Sequence, residues 1–325
     1  MTIRRRPTIN DVAAEVGVAA STVSRAFTVP GRVNPRTRQQ ILEAAERLGY
    51  VPNPAARAMG SGRTDTVALL VPDITNPFFS GIIKGAERAV GAAGKTLVLG
   101  DTEESPAVEA RLLERLGPAV DGFVLAAPRL PDADVRRAAT RNRVVLVNRV
   151  VPDVACVVAD YESATRQVVD HLASLGHREL VFLAGPAESW SGAQRWAGLE
   201  TAARARRMLA TRLGPYAPTL DGGPAAAEAA IASGASAVVC HNDMLAIGVM
   251  RRLADRGVRV PEEVSVVGFD DIFGADFCHP PLTTLAERTQ EAGAAAIEVL
   301  LHRSGTPTVI APTELKIRAS SGPAA

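Results

Sequence analysis

Cysteine is scarce in this chain: Cys156, Cys240 and Cys278 are all that 325 residues contain. Three widely spaced thiols offer neither a disulfide framework nor the paired spacing of a zinc site, and they point to a reducing compartment. Long hydrophobic runs are missing too. No stretch reaches the ~20 apolar residues that span a bilayer, and the opening M-T-I-R-R-R-P-T-I-N is positively charged with no apolar segment behind it. Neither a membrane span nor a signal peptide is expected, and a cytoplasmic location follows. There is no G-x-G-x-x-G after the first strand-like run, no P-loop and no G-x-S-x-G, and His177, His241 and His279 are scattered. An enzyme, a cofactor and a bound metal are therefore not expected.

What is present is ordinary globular material. Hydrophobic residues make up 47% of the chain and charged residues 22%, enough to bury a core and far from the signature of disorder. At about 100 to 200 residues per domain, the length argues for more than one compact unit. Charge separates the units. Residues 1–63 carry ten Arg against four acidic residues, net +6, whereas residues 64–325 carry 26 basic against 31 acidic residues, net −5. One end suits a polyanion and the remainder does not.

The basic end reads as three short helices. Thr8 and Asp11 have capping-box spacing, Val12, Ala13 and Val16 give one apolar face, and Gly17 stops the first helix. A second helix over 19–27 turns Val23, Ala26 and Phe27 inward. A third starts at Asn34-Pro35, an N-cap followed by the imide that suits the first helical position, and stops at Gly49. Asn53-Pro54 repeats that signal before a helix too short to be stable without a surface to fold on. Two helices joined by a tight glycine turn make a helix-turn-helix, whose second helix offers Ala20, Ser21, Thr22, Ser24 and Arg25 to a major groove. The competing reading, a plain helical hairpin packed on another domain, is disfavoured by the +6 charge of the same segment, which can neutralise phosphates.

From residue 66 onward, apolar runs at 67–72, 96–102, 122–126, 144–148, 156–160, 180–185, 237–240 and 264–269 alternate with helix-length segments. Continuous hydrophobicity marks strands buried on both faces, and repeated strand–helix units mean parallel sheets. So many strands fit two doubly wound lobes better than one open sheet. Ligands sit beyond the carboxyl ends of parallel strands, which gathers Asp73, Asn148, Asp160, Asn242, Asp243, Asp270 and Asp271 around one cleft.

Eight stretches then occur in one order: T-I-x-D-V-A-x-x-x-G-V-x-x-x-T-V-S-R at 8–25, L-G-Y-x-P-N at 48–53, N-P-F-F at 76–79, H-L-x-x-L-G-H-R at 171–178, R-x-x-G-L at 195–199, N-D-x-x-A-I-G at 242–248, V-S-V-V-G-F-D-D at 264–271 and P-P-L-T-T at 280–284. In these the chain resembles the LacI/GalR family of bacterial transcriptional regulators over nearly its whole length. The resemblance implies a repressor: a homodimer that binds double-stranded operator DNA through paired helix-turn-helix units, with a small-molecule effector, a sugar or related metabolite, held in the cleft. The implied fold is an all-α helix-turn-helix DNA-binding domain at 1–50, a hinge helix and linker at 51–63, and an α/β periplasmic-binding-protein-like core at 64–325. Two doubly wound parallel-sheet lobes form that core, lobe 1 over about 64–159 and 286–304 and lobe 2 over about 160–285 and 305–325.

By the same resemblance, Thr8, Asn53 and Arg57 join the recognition-helix residues at the DNA, and Met59 stands where the family's minor-groove wedge is usually leucine. Ala20 and Ser21 fall at the positions that vary most with operator sequence. Ala20 offers only an apolar contact, Ser21 one donor or acceptor, and Arg25 suits a guanine edge or a phosphate. Arg4, Arg5 and Arg6 read as a phosphate-contacting arm. Around the effector, Arg195 and Asp270 match ligand-binding positions with Asn242 beside them, and Phe78, Asn148, Asp160 and Trp190 complete the expected lining. An Arg fork facing a carboxylate suits vicinal hydroxyls or a polar heterocycle.

The chain departs from the family at 207–224, which is short and rich in Ala, Gly and Pro, and at Gly222 and Thr289, where an aromatic often closes on a sugar ring. Trp190 or Trp196 is then the alternative stacking face. Two other readings stay open: a cytoplasmic solute-binding protein with no DNA role, and a regulator that uses a nucleobase or nucleoside co-repressor. The closing S-G-P-A-A has no heptad zipper, so a dimer is expected rather than a zipper-built tetramer.

Overall fold

The computed structural model describes residues 7–51, 63–302 and 305–324. Its chain divides into two units, one of Met1–Thr66 with Ala119–Asp121 and the other of Val67–Pro118 with Gly122–Ala325.

The small unit holds α1 (Ile9–Val16), α2 (Ala20–Thr28) and α3 (Pro35–Leu48). Local chemistry sets their ends. Asp11 accepts from both the Thr8 backbone N–H and the Thr8 hydroxyl, each at 2.7 Å. Gly17, at φ 73°, closes α1 with a left-handed turn that only glycine adopts without strain. Asn34 caps α3 by accepting from Arg36 N at 2.9 Å, with Pro35 in the first helical position. Val12, Ala13, Val23, Ala26, Ile41, Ala44 and Ala45 form the core, so Val23 packs where the sequence places it. Arg47 reaches from α3 to Glu15 on α1 at 2.9 Å. Asn53, Arg57, Met59 and the Arg4 to Arg6 run lie outside the described residues.

The large unit is two α/β lobes. Lobe 1 has strands β1 (Thr66–Val71), β2 (Thr96–Asp101), β3 (Gly122–Ala126), β4 (Val144–Val147), β5 (Ala155–Ala159) and β11 (Thr308–Ala311), in spatial order β11-β5-β4-β3-β1-β2. Its helices are α4 (Pro77–Ala92), α5 (Pro106–Leu116), α6 (Asp132–Arg141) and α11 (Thr289–His302). Lobe 2 has β6 (Glu179–Leu183), β7 (Leu209–Leu213), β8 (Ala237–Cys240), β9 (Ser265–Asp270), β10 (Thr283–Glu287) and β12 (Thr313–Lys316), in order β12-β10-β9-β8-β6-β7. Its helices are α7 (Tyr161–Ser174), α8 (Trp190–Ala205), α9 (Gly223–Ser233) and α10 (Asp243–Asp255). The pairings among β6 to β10 are parallel, and β12 is an antiparallel edge on β10.

Two expectations are corrected. The lobe boundary near the end of the chain lies at Pro312 and not at 305, because β11 pairs in parallel with β5 of lobe 1 before β12 returns to lobe 2. The crossing back from lobe 2 follows Glu287 rather than residue 285, since β10 pairs with β9 through Ala286. Four strands also carried no clear hydrophobic run: β7, β11 and β12 are short, partly exposed edge strands, and β10 reads T-T-L-A-E.

Each sheet is sandwiched by helices, as continuous apolar strands require. The α4–α11 contact in lobe 1 is a close backbone approach. A Cβ on Gly85 would lie 2.0 Å from the Gln290 carbonyl oxygen, and one on Gly293 would lie 2.1 Å from that of Ile82. The core of lobe 1 extends to the other lobe: Ile272 belongs to the same apolar cluster as Phe78 and Phe79, and Met244 and Ile247 pack against it. In lobe 2 the buried His177 ring bonds the hydroxyls of Ser236 and Ser265 at 2.8 and 3.1 Å and the Gly322 carbonyl at 3.1 Å, pinning the end of the chain to the sheet.

Candidate functional site

The cleft is built from strand ends. Arg195 on α8 is 3% exposed and Asp270, the last residue of β9, 8%. Nη2 of Arg195 donates to Asp270 Oδ1 at 2.9 Å and to Glu287 Oε1 at 3.3 Å, while Nη1 donates to the His241 carbonyl. The guanidinium stands 4.6 Å from the Phe269 ring centroid and 5.9 Å from that of Tyr161, geometry in which the ring faces favour the cation. Glu287 ends β10, and its second oxygen accepts from Asn148 Nδ2 at 3.3 Å. That bond joins the lobes. Arg195 Nε and His241 Nδ1 are buried and, among the described residues, have no hydrogen-bond partner.

The electrostatics follow from burial. It pushes the Asp270 carboxyl well above the usual carboxylate range; Arg195 opposes this, and Asp243 and Glu287 reinforce it. Burial works against the Arg195 charge, but Asp270, Tyr161 and Glu287 outweigh it and hold the guanidinium above its ordinary value. Burial, with Arg195, Arg129 and Arg212, drives His241 well below the usual imidazole value, so its ring is neutral at pH 7. The backbone is under local strain at the same place: Asn148, Asp270 and Asp271 have φ of 56°, 116° and 51°. Non-glycine residues in this region cost on the order of 1–3 kcal/mol each and cluster at functional sites.

Not every expected residue faces this cluster with a free group. Asp160 accepts from Ser163 N at 2.9 Å and caps α7. Asn242 caps α10 through Leu245 N at 3.0 Å and donates to the Pro218 carbonyl at 3.0 Å. Asp73 closes its own turn by bonding Thr75, and Asp271 pairs with Arg318 at 2.6 Å. Asp243 is buried, accepting from Thr284 Oγ1 and Ile272 N. Phe78 is as buried as Phe79 and packs edge-on to it, so neither ring is set apart as a wall. Trp190 is half-buried, edge-on to Tyr161 at 5.8 Å, whereas Trp196 stacks on Phe182 in the lobe 2 core. Of the two tryptophans, Trp190 is the one beside the cluster. Thr289 fills the space a Cβ on Gly81 would need. Sequence reasoning missed Glu287 and Tyr161. Glu287 ends a strand that has no recognisable apolar run, and Tyr161 directly follows the cap residue Asp160.

On the small unit, α2 exposes Ser21, Ser24 and Arg25, while Ala20 and Thr22 are half-buried. Ala20 packs against the core cluster, and the Thr8 hydroxyl is bonded to Asp11.

Residues 8–53 match the family model for bacterial regulatory proteins of the lacI family, and residues 169–321 match that for a periplasmic binding protein-like domain. The transcriptional repressor CytR of Escherichia coli (strain K12) is 31% identical over 97% of this chain and 96% of its own length. The chain belongs to the LacI family. Another relative is the transcriptional regulator CelR of Thermobifida fusca, 34% identical over 98% of this chain and 99% of that protein. Among solved structures of LacI-family regulators, a CelR–cellobiose complex aligns with a TM-score of 0.71 at 31% identity, covering 97% of this chain and 100% of that one. The lac repressor dimer bound to operator and the anti-inducer ONPF has a TM-score of 0.86 at 24% identity, covering 98% and 100%, and shares the fold.

Proposed function

We propose that this LacI-family protein is a cytoplasmic transcriptional repressor that binds operator DNA as a homodimer and responds to a small molecule held in the cleft between its lobes. The observation that carries the reading is the union in one chain of a net +6 helix-turn-helix head with a strand-end cluster of Arg195, Asp270, Glu287 and Asn148. Relatives that match along the whole length support it: CytR is a transcriptional repressor and CelR a transcriptional regulator crystallised with cellobiose. The protein works by binding rather than by catalysis. Among the described residues no helix is long and apolar enough to cross a membrane.

Ser21, Ser24 and Arg25 are the groups free to meet base edges, with Thr22 and Ala20 at the helix flank. Thr8, Asn53, Arg57 and Met59 belong to the same DNA-facing set by their place in the family pattern. In the cleft, Arg195 and Asp270 present donors and acceptors at fixed spacing, Trp190 supplies the ring face, and Phe78, Asn148, Asp160 and Asn242 hold the surrounding turns. Ligand binding controls DNA affinity only as far as it favours one arrangement of the dimer over another. Exposed Phe273 and Phe277, edge-on at 5.0 Å, are apolar surface suited to a second copy.

The decisive experiment is selection of binding sites from a random duplex pool by the full chain and by a form lacking residues 1–63. The full chain should recover a two-fold symmetric site, with log affinity falling against log salt by about 0.9 per phosphate neutralised. Sequence-specific binding by the shortened form would overturn the assignment.

A further inference from the structure

Immediately around Arg195 the charges do not balance. Arg195 bonds two carboxylates, Asp270 and Glu287, whose side chains are 5% and 6% exposed. Asp243 lies close enough to push Asp270 up further. A buried carboxylate in excess of its cation is costly, and such a cluster is relieved either by a proton or by a second cation. The proton is one resolution: burial raises the Asp270 carboxyl, with Asp243 and Glu287 adding to this and Arg195 opposing it, while His241 is held neutral and Tyr161 protonated by burial. A cationic ligand is the other.

Geometry aims the excess charge. Glu287 is fixed from both sides, by Arg195 on Oε1 at 3.3 Å and by Asn148 on Oε2 at 3.3 Å. Asp270 gives Oδ1 to Arg195, which leaves Oδ2 for a ligand donor. Beside them Trp190, half-buried and edge-on to the buried Tyr161, supplies an indole ring against which a ligand ring can pack. Two preset acceptors next to an aromatic face, with one guanidinium between them, match a ring that carries its own positive charge.

We propose that this cleft, taken as the effector site of the regulator described above, admits a ring-bodied polyol or heterocycle that carries a protonated amine, and that Glu287 is the side chain that selects the amine. The amine donates charge-assisted hydrogen bonds to Glu287 and Asp270, and a neutral hydroxyl in its place leaves the second carboxylate to be balanced by a proton instead. The inference rests on the effector-site reading.

The test is a thermal-shift and calorimetric panel on the full chain, using glucosamine, galactosamine, mannosamine and deoxynojirimycin, each paired with its hydroxyl or N-acetyl counterpart, on the parent and on Glu287→Gln. At least one amine should bind the parent about tenfold or more tighter than its neutral partner, a difference of 1.4 kcal/mol, and Glu287→Gln should erase most of that ratio. The proposal is overturned if no amine binds, if the neutral partner binds as tightly, or if the preference survives Glu287→Gln. Should the variant fail to fold, the ratio in the parent decides. Site selection on the same preparation separates the two levels: a chain that binds no DNA removes the regulator reading, and one that binds DNA but responds only to neutral members removes the charge inference alone.

Discussion

Asn148, just past the end of β4 in lobe 1, donates to Glu287 at the end of β10 in lobe 2 over 3.3 Å. A hydrogen bond to a charged group is worth about 1.5–3 kcal/mol, enough to bias a hinge between two arrangements. Asn148→Ala should loosen the lobes, and small-angle scattering should report a larger radius of gyration for the variant than for the parent. Superimposable profiles would remove Asn148 as a latch.

Arg195 is as much a structural group as a ligand-facing one. Its removal leaves Asp270 and Glu287 buried without their cation, and breaking a buried pair on one side costs about 3–5 kcal/mol. Arg195→Ala should therefore unfold at distinctly lower urea than the parent, and any folded fraction should keep DNA affinity while losing the response to ligand. A parent-like urea midpoint would mean that the ion pairs contribute little.

Asp243 gives a pH signature. Burial pushes its carboxyl from 3.8 up to about 7, the Thr284 hydroxyl and the Ile272 N–H pull it back, and Asp271 raises it again. Between about pH 4 and 7 the folded chain holds a proton that the unfolded chain has released, so this group's contribution to stability falls as pH rises through that window and is flat above it. Asp243→Asn removes that dependence. Urea midpoints at pH 5 and pH 8 should show the parent losing stability relative to the variant at the higher pH, and a constant difference would refute the assignment.

The α4–α11 contact should not tolerate a methyl group. A Cβ at Gly293 would meet the Ile82 carbonyl oxygen at 2.1 Å, a backbone atom that no rotamer change can move. Overpacking of this kind costs about 1–3 kcal/mol, so Gly293→Ala should lower the melting temperature by several degrees. A melting curve that overlays the parent's would show that the helices slide apart freely.

The order of these effects reflects what the sequence makes visible. Helices with capping residues and a glycine stop, such as α1 and α3, were legible because their ends are local chemistry. Central strands were legible because burial on both faces demands an unbroken apolar run. Edge strands were not: β11 and β12 are four residues each, half-exposed, and separated by one proline. Their pairing is decided by distant partners, so the last lobe crossing was misplaced. The cleft divides in the same way. Arg195 and Asp270 sit in recurring motifs and bond each other within lobe 2, whereas Glu287 joins them only when β10 folds beside β9. Asp160 and Asn242, which sequence placement brings to the cleft rim, turn out to spend their side chains on helix caps.

The interleaving of the lobes bears on how the chain is made. The lobe 1 sheet is complete only when Thr308–Ala311 joins β5, and lobe 2 only when Thr313–Lys316 joins β10. Synthesis has therefore passed residue 311 before the lobe 1 sheet can close and residue 316 before that of lobe 2. Until then two apolar sheets share one nascent chain with unpaired edges, a stage at which folding intermediates aggregate. Neither lobe can be produced alone from a single contiguous stretch, and a chain that stops before Thr308 lacks a strand of both.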